Sequence, residues 1–400
     1  MYKISDAFAS EYENYITLAP LKSFIRQHHL TSRASVRQEM IELICEFADE
    51  SAENAELVDS WIDETIKAGK KTISLFYYPI NSSMRSILKD PEKIDNFLGE
   101  LLNPNFKRHV NGNCYSDELT LVRYELDDAV DKLTLFFCRK IFIFEQQKPK
   151  LSAFDYPIIA ELFLNSNWIC IRATPKTNMY QYRPSTFNIE VNQKTTVDKQ
   201  IKDVMEWLRN RITTEDENTN VQLEILKNRL YSLLHQYTYT PEEIENRMRE
   251  ESDLLEQCIS ILSEACCLDD VTHLKDLKDD IFNTAEKYLS ISWPDKSIFT
   301  RGRGAYPIKL KATDEEESTV EQQSGENDPL QSKAIFFDNK KMLEKNKKCD
   351  GVTFCWGKRN SSGFFIVKIS IIPKGCTIIL PRYTEEEDIE NVIFSLIENE

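Results

Sequence analysis

Hydrophobic and polar positions along this chain follow two different periods. Up to about Lys67, apolar side chains recur every three or four residues, as in the stripe Leu18, Leu21, Phe24 and Ile25. This spacing predicts amphipathic helices in the first 68 residues. Between 119 and 191 the pattern changes to short runs of β-branched and aromatic residues, which predicts strands.

The strand-rich block is interpreted as a mainly antiparallel sheet. The turn Asn165-Ser166-Asn167 separates two apolar runs and is typical of a hairpin. Strands are predicted at 72–78, 119–124, 133–144, 156–164, 168–173 and 187–191.

Helical spacing returns between 197 and 290. Helices are predicted at 197–212, 221–237, 241–267 and 271–289, with a polar loop or hinge at 213–220. Pro241 follows Thr240 and precedes two acids, which is typical of a helix start. Apolar residues from Ile244 to Leu262 recur at helical spacing and predict that this helix packs against its neighbours.

The last part of the chain combines an acidic stretch with a small strand-rich block. Residues 314–328 contain seven acids and no bases, which predicts a disordered loop. Strands are predicted at 351–356, 364–372 and 377–380, followed by a helix at 385–398. The sequence thus predicts an α+β fold in three parts: a helical module at 1–68, a central α+β body at 69–295 with its helical section at 197–290, and a small α+β domain at 296–400.

Composition narrows the class of protein. Hydrophobic residues make up 41% of the chain, enough for a packed interior, and the net charge is −16. An acidic surface disfavours uniform binding to phosphate or anionic lipid. The longest apolar runs, 133–144 and 364–372, are interrupted by bases and fall short of the roughly 20 residues needed to span a bilayer.

The cysteines and the first residues favour a cytoplasmic protein. The ten cysteines lie largely in apolar stretches without a C-x-x-C motif, which predicts buried, reduced thiols. The start Met1-Tyr2-Lys3 has no signal-peptide pattern, so no leader and no membrane partner are expected. Abundant Lys, Glu, Asn and Ile are compatible with a bacterial source.

Motifs for enzyme chemistry are absent from the sequence. The chain has no G-x-S-x-G, no phosphate-binding G-x-x-x-x-G-K and no G-x-G-x-x-G, and its five histidines lack metal-ligand spacing. We therefore expect no cofactor and no metal, and a non-enzymatic role is favoured.

One enzyme alternative stays open, a Mg²⁺-dependent nuclease. Such enzymes place one acid on a strand and an acid-x-lysine on the next. Asp155, Glu161 and Glu190 are the candidate acids, but Asn192 stands at the lysine position.

The distribution of bases predicts a binding surface. Residues 296–311 hold five bases and no acids, and residues 333–359 hold eight bases and three acids. Phe299, Tyr306, Trp356 and Phe364 lie among these bases, a combination that suits base stacking beside phosphate contacts. The candidate nucleic-acid-binding residues are Arg301, Arg303, Lys309, Lys311, Lys340, Lys341, Trp356, Lys358 and Arg359.

The first helices, with Arg33 in the turn between two of them and Arg37 near the start of the second, have a layout that many small DNA-binding modules share. Residues 1–66 hold only five bases against thirteen acids, so a protein-interaction module is favoured there. The sequence as a whole predicts an adaptor or regulatory protein that binds DNA or RNA through residues 296–400. A protein is the second candidate partner, as in a subunit of a bacterial defence or mobile-element system.

Overall fold

The computed structural model describes residues 1–10, 15–30, 34–113, 115–144, 151–181, 193–212, 219–268, 270–313, 319–325, 327–373 and 375–397. The chain divides into two compact units. Unit 1 comprises Met1–Thr219 and Lys374–Asn391, and unit 2 comprises Asn220–Pro373 and Val392–Glu400. These boundaries differ from those at 68 and 295 that separate the three predicted parts.

The described residues form thirteen α-helices and twelve strands, with 46% of residues helical and 24% in strands, which confirms the α+β class. The helices are α1 Asp6–Ala9, α2 Leu18–Gln27, α3 Arg37–Asp49, α4 Ala52–Thr65, α5 Ser82–Leu88, α6 Pro91–Gly99, α7 Val197–Arg209, α8 Thr219–Gln236, α9 Glu242–Glu250, α10 Ser252–Ala265, α11 Val271–Ser292, α12 Ala334–Asn346 and α13 Glu386–Ile397. The strands are β1 Lys71–Tyr77, β2 Thr120–Asp127, β3 Lys132–Phe144, β4 Leu151–Phe163, β5 Trp168–Ala173, β6 Met179–Gln181, β7 Gln193–Lys194, β8 Ala305–Thr313, β9 Thr319–Gln323, β10 Gly351–Gly357, β11 Phe364–Ile372 and β12 Gly375–Leu380.

The sheet of unit 1 runs in the order β7-β6-β3-β4-β5-β1-β12, with β2 also paired to β3. Its described strand pairs are antiparallel, as the sequence predicted. The turn between β4 and β5 holds Asn167 at φ +60°, a conformation that asparagine adopts readily. The predicted strand at 187–191 lies outside the described residues.

The helices of residues 1–68 share one core with this sheet. Phe24, Ile44 and Ile62 from α2, α3 and α4 belong to the same buried cluster as Phe136 of β3 and Leu208 of α7. A helix must bury its apolar stripe against another element, and here that element is the sheet of unit 1. Residues 1–68 are therefore part of unit 1.

Polar contacts also attach α4 to the sheet. His109 places Nδ1 at 2.7 Å from Asp63 and Nε2 at 2.8 Å from Glu56, and Arg123 of β2 lies 3.0 Å from Asp63. Burial alone would lower the pKa of His109, but hydrogen bonds to Asp63 and Glu56 and their charges outweigh it, so the pKa is raised.

Unit 2 combines helices α8 to α12 with a sheet in the order β11-β10-β8-β9. The predicted single helix at 241–267 is two helices, because α9 ends at Glu250 and Glu251 leaves the helical conformation at φ −99° and ψ 15°. The predicted strand at 377–380 is β12, which pairs with β1 and so belongs to unit 1.

The acidic stretch 314–328 is not disordered throughout. Residues 319–323 form β9, which pairs with β8 from Lys309 to Thr313. The backbone ladder and an ion pair between Glu321 and Lys309 replace the hydrophobic burial that the stretch lacks. The prediction of disorder is therefore wrong for 319–323, and residues 314–318 lie outside the described part of the chain.

Two further expectations concern membranes and cysteines. Among the described helices, none is long and apolar enough to cross a membrane. Five described cysteines are buried as predicted, but Cys258, Cys266 and Cys267 at or just after α10 are exposed. The local sequence is apolar there, yet none of the described elements covers these three cysteines.

Candidate nucleic-acid interface

The four-stranded sheet of unit 2 has one buried and one exposed face. On β11 the side chains alternate: Phe365, Val367 and Ile369 are buried, whereas Phe364 and Lys368 are exposed. This alternation follows from the two-residue period of a strand. It assigns every second position to an outer face that contacts solvent.

Aromatic packing covers the inner face. Phe354 and Trp356 of β10 point inward, and the ring of Tyr237, just after α8, lies 5.9 Å and 5.6 Å from their rings. Phe365 and Val367 of β11 pair with Trp356 and Phe354 and are buried with them. The inner face is thus a hydrophobic core, and the chemistry of the sheet lies on the outer face.

Lysines form a row across the outer face. Thr353 of β10 lies opposite Lys309 of β8 on one side and Lys368 of β11 on the other. Lys311 lies two residues further along β8 and therefore points to the same face. Three ammonium groups from two strands consequently converge on one surface.

A β-bulge places an aromatic side chain on this face. Thr353 pairs with Lys309 and the next residue of β10 pairs with Pro307, so one residue of β8 is unpaired. In a regular strand Tyr306 and Lys309, three positions apart, would point to opposite faces. The extra residue restores them to the same face.

Tyr306 and Phe364 form an aromatic pair beside the lysines. Their ring centroids are 5.4 Å apart at 66°, and Phe364 is 47% exposed. Because a strand rises about 3.3 Å per residue, Phe364 lies roughly 13 Å from Lys368 along β11. The turn that precedes Phe364 carries two more bases, Lys358 and the exposed Arg359.

The charge of this face is positive. Glu321 of β9 pairs with Lys309 across the strands. Lys311 and Lys368 have no ion pair with any residue that the structure describes. A face of this kind in a chain of net charge −16 is a local basic surface on an acidic protein.

Of the nine residues predicted from sequence, Lys309 and Lys311 lie on this face, and Lys358 and Arg359 lie in the turn that precedes Phe364. The sequence analysis did not select Lys368, and it noted Tyr306 and Phe364 only as neighbours of bases. The two-residue alternation of β11 was the signal that could have identified Phe364 and Lys368.

The side chain of Arg303 is buried and hydrogen-bonded inside unit 2. It is 7% exposed, donates hydrogen bonds to the carbonyl oxygens of Tyr237 at 2.7 Å and Tyr239 at 2.6 Å, and also contacts Gln331. Its guanidinium lies 3.9 Å from the Tyr239 ring centroid, and burial lowers its pKa. Arg303 therefore holds the end of α8 in place and is not on the surface.

The remaining predicted residues are not among the outward-facing strand residues of this sheet. Arg301 is exposed and pairs with Asp295 at 3.0 Å. On α12, Lys340 pairs with Glu286 at 2.5 Å and Lys341 with Asp280 at 3.0 Å, both acids of α11. Trp356 and Phe299 are buried in the core. Charge along the sequence did not distinguish these bases from those on the sheet.

The two candidate nuclease acids that the structure describes are far apart. Asp155 and Glu161 lie six positions apart on β4, which corresponds to roughly 20 Å. Two ligands of one metal ion must lie within a few ångströms of each other. Glu190 lies outside the described residues.

A second group of acids resembles a metal site by distance alone. The carboxylates of Glu161, Glu386 and Glu390 lie within 4.8 Å of one another. Arg172 contacts Glu161 at 2.5 Å and Glu386 at 2.7 Å, and Lys132 lies 2.8 Å from Glu390.

These ion pairs offset the negative charge of the three carboxylates. Burial alone would raise the pKa of Glu161, but Arg172 and Lys132 hold it below its usual range. Burial and the neighbouring Glu161 raise the pKa of Glu386. Arg172 and Lys132 pair with these three carboxylates, so the group is described as an ion-pair network.

No protein-family model matches this chain, and no curated protein is detectably similar to it in sequence.

Proposed function

We propose that this protein is a non-enzymatic binding protein, an adaptor or regulator, that holds single-stranded nucleic acid on the outer face of the unit 2 sheet. The observation that carries the proposal is the aromatic pair of exposed Phe364 and half-buried Tyr306 on the same face as Lys309, Lys311 and Lys368.

The chemistry of this face suits unpaired bases. Aromatic side chains stack on any base, and each such contact contributes about 1–3 kcal/mol by alanine substitution. Lysines beside the rings contact phosphates, and a sheet that presents aromatics in this way binds splayed bases more readily than a closed duplex. The face thus favours single strands over double strands.

A binding role agrees with the residues that flank the rings. Glu321 on this face is paired with Lys309. Catalysis of phosphodiester cleavage by metal ions would need several convergent carboxylates.

The described cysteines are unpaired, which supports our further proposal of a reducing, cytoplasmic location.

The test is fluorescence anisotropy with labelled 12-nucleotide oligo(dT), oligo(rU) and a duplex, in EDTA, across a salt series. If the five bases Lys309, Lys311, Lys358, Arg359 and Lys368 all contact phosphates, log K should fall against log salt with a slope of about −3.5. Between 50 and 200 mM salt, this corresponds to a loss of roughly 100-fold in affinity.

Two variants separate stacking from charge. Phe364→Ala should weaken single-strand binding roughly 5- to 150-fold and leave the salt slope unchanged. Lys368→Ala should reduce the slope by about 0.7. Tyr288→Ala and Lys275→Ala on α11 are matched controls, since both side chains are exposed and lie off the sheet.

The controls should bind like the unchanged protein. Absence of saturable binding at 50 mM salt, or equal losses in the control and sheet variants, would overturn the proposal. The same oligonucleotides incubated with Mg²⁺ should remain intact, and their degradation would instead favour the nuclease alternative.

A further inference from the structure

Helix α10 is amphipathic yet contributes no buried residue to unit 2. Leu254 is 56% exposed and Ile261 is 66% exposed, and Cys258 between them is exposed as well. Exposed apolar side chains are ordinary when scattered, but a contiguous set on one helix indicates an interaction surface.

The exposed residues share one face of the helix. Leu254, Cys258, Ile261 and Ala265 are spaced by four, three and four positions, which places them on a single stripe of α10. We call these four residues the α10 stripe. Their spacing is that of the seam by which two helices pack as a coiled coil.

The helix already uses another side for packing within unit 2. Leu255 and Ile259 are half-buried where α10 packs on α11, and Glu256 pairs with Lys278 at 2.6 Å. The sequence predicted that Ile244, Met248, Leu255, Ile259 and Leu262 pack against neighbours. Ile244 is buried and the next three are half-buried, whereas Leu262 is 43% exposed. The residues of the α10 stripe were not part of that prediction.

The surroundings of the stripe are acidic. Residues 252–280 contain eight acids and two bases, and α10 itself has three acids and no base. Asp253 and Glu264 are exposed and each immediately precedes a stripe residue, so both lie along the same edge of the stripe.

We infer that the α10 stripe docks a basic amphipathic helix of another protein. Leucine-like side chains of that helix would cover the stripe, and its lysines or arginines would face Asp253 and Glu264. A second copy of this chain is disfavoured, because it would place the acids of two α10 helices against each other. This inference does not rest on nucleic-acid binding.

The probe is a pair of 21-residue synthetic helices with leucine at the seam positions, one flanked by lysines and one flanked by glutamates. Anisotropy titrations at 50 mM salt should give saturable binding of the lysine peptide, at least tenfold tighter than the glutamate peptide. Equal binding of both peptides, or binding of neither, would overturn the inference.

Variants test the location. Leu254→Asp with Ile261→Asp should weaken binding of the lysine peptide at least tenfold, whereas Ser232→Asp, at an exposed position on α8, should change it less than twofold. Asp253→Lys with Glu264→Lys should reverse the preference between the two peptides. This charge variant keeps the apolar stripe intact, so it tests the inference even if the aspartate variant unfolds.

Sedimentation velocity distinguishes the competing occupant. The unchanged protein should show no stripe-dependent dimer over a concentration series. A dimer that Leu254→Asp with Ile261→Asp dissociates would make a second copy the occupant and overturn the inference.

Discussion

Replacing Arg172 by methionine should destabilise unit 1 strongly. The Arg172 side chain is 1% exposed, and its guanidinium donates to Glu161 of β4 and to both carboxylate oxygens of Glu386 at 2.7 and 2.8 Å. Without it, Glu161 stays buried with Lys132 at 3.5 Å as its described cation. Removing one partner of a buried ion pair costs about 3–5 kcal/mol, because the other charge is left uncompensated.

The double variant Arg172→Met with Glu161→Met tests this reasoning. It removes both charges of the pair, and Lys132 keeps Glu390 at 2.8 Å. Replacing a whole buried pair by apolar residues is often neutral or stabilising. We expect it to recover most of the loss, with a coupling free energy on the order of 2–3 kcal/mol.

Urea denaturation followed by tryptophan fluorescence measures these changes, since Trp168 is buried on the same strand as Arg172. At a slope of about 3 kcal/mol/M, a loss of about 3–5 kcal/mol lowers the midpoint by about 1–1.7 M. A single variant that loses less than about 1 kcal/mol would refute the uncompensated-charge argument. A double variant as unstable as the single would refute it too.

Three further predictions concern unit 1. His109 has a raised pKa, so its stabilisation is complete below the unfolded value of about 6.5 and is lost as the pH rises through the folded pKa. The urea midpoint of the unchanged protein should therefore fall more from pH 6 to pH 9 than that of His109→Gln, and equal slopes would contradict the assignment. Burial lowers the pKa of Lys71 to about 7, so between pH 7 and 10 the unfolded chain binds one more proton at Lys71 than the folded chain does. Lys71 should therefore make the urea midpoint rise with pH in this range, and Lys71→Met should remove this contribution. Gly375→Ala should lose about 1–3 kcal/mol in urea melts, because its Cβ would lie 2.3 Å from the carbonyl oxygen of Leu75, whereas Gly99→Ala meets no atom within 4 Å and should be neutral.

Most elements were predictable because their signals are local. Strand β5 has the predicted bounds, Trp168–Ala173, and the turn before it contains the predicted asparagines. Period-two and period-three-to-four patterns arise from neighbours in sequence, so they need no knowledge of the fold. The break at Glu251 was missed because no glycine or proline marks it.

The partners of the elements were not predictable in the same way. Strand β12 was expected, but its pairing of Ile378 with Ile73 of β1 joins residues from opposite ends of the chain. Likewise, the helices of residues 1–68 have clear apolar stripes, but the stripes do not specify that a sheet covers them. The hydrophobic effect is non-directional, so an apolar stripe predicts that a face is buried but does not predict which element covers it.

The candidate interface shows the same division. The sequence alone determined the α+β class, strands β10 and β11 of this sheet and the excess of bases beside aromatics after residue 296, whereas strands β8 and β9 were not predicted. Only the tertiary structure decided that Arg303 is buried against Tyr239 while Lys368 is exposed, and that a bulge in β8 places Tyr306 beside Phe364. Charge and periodicity belong to each residue and its neighbours, whereas exposure depends on which distant residues pack against it.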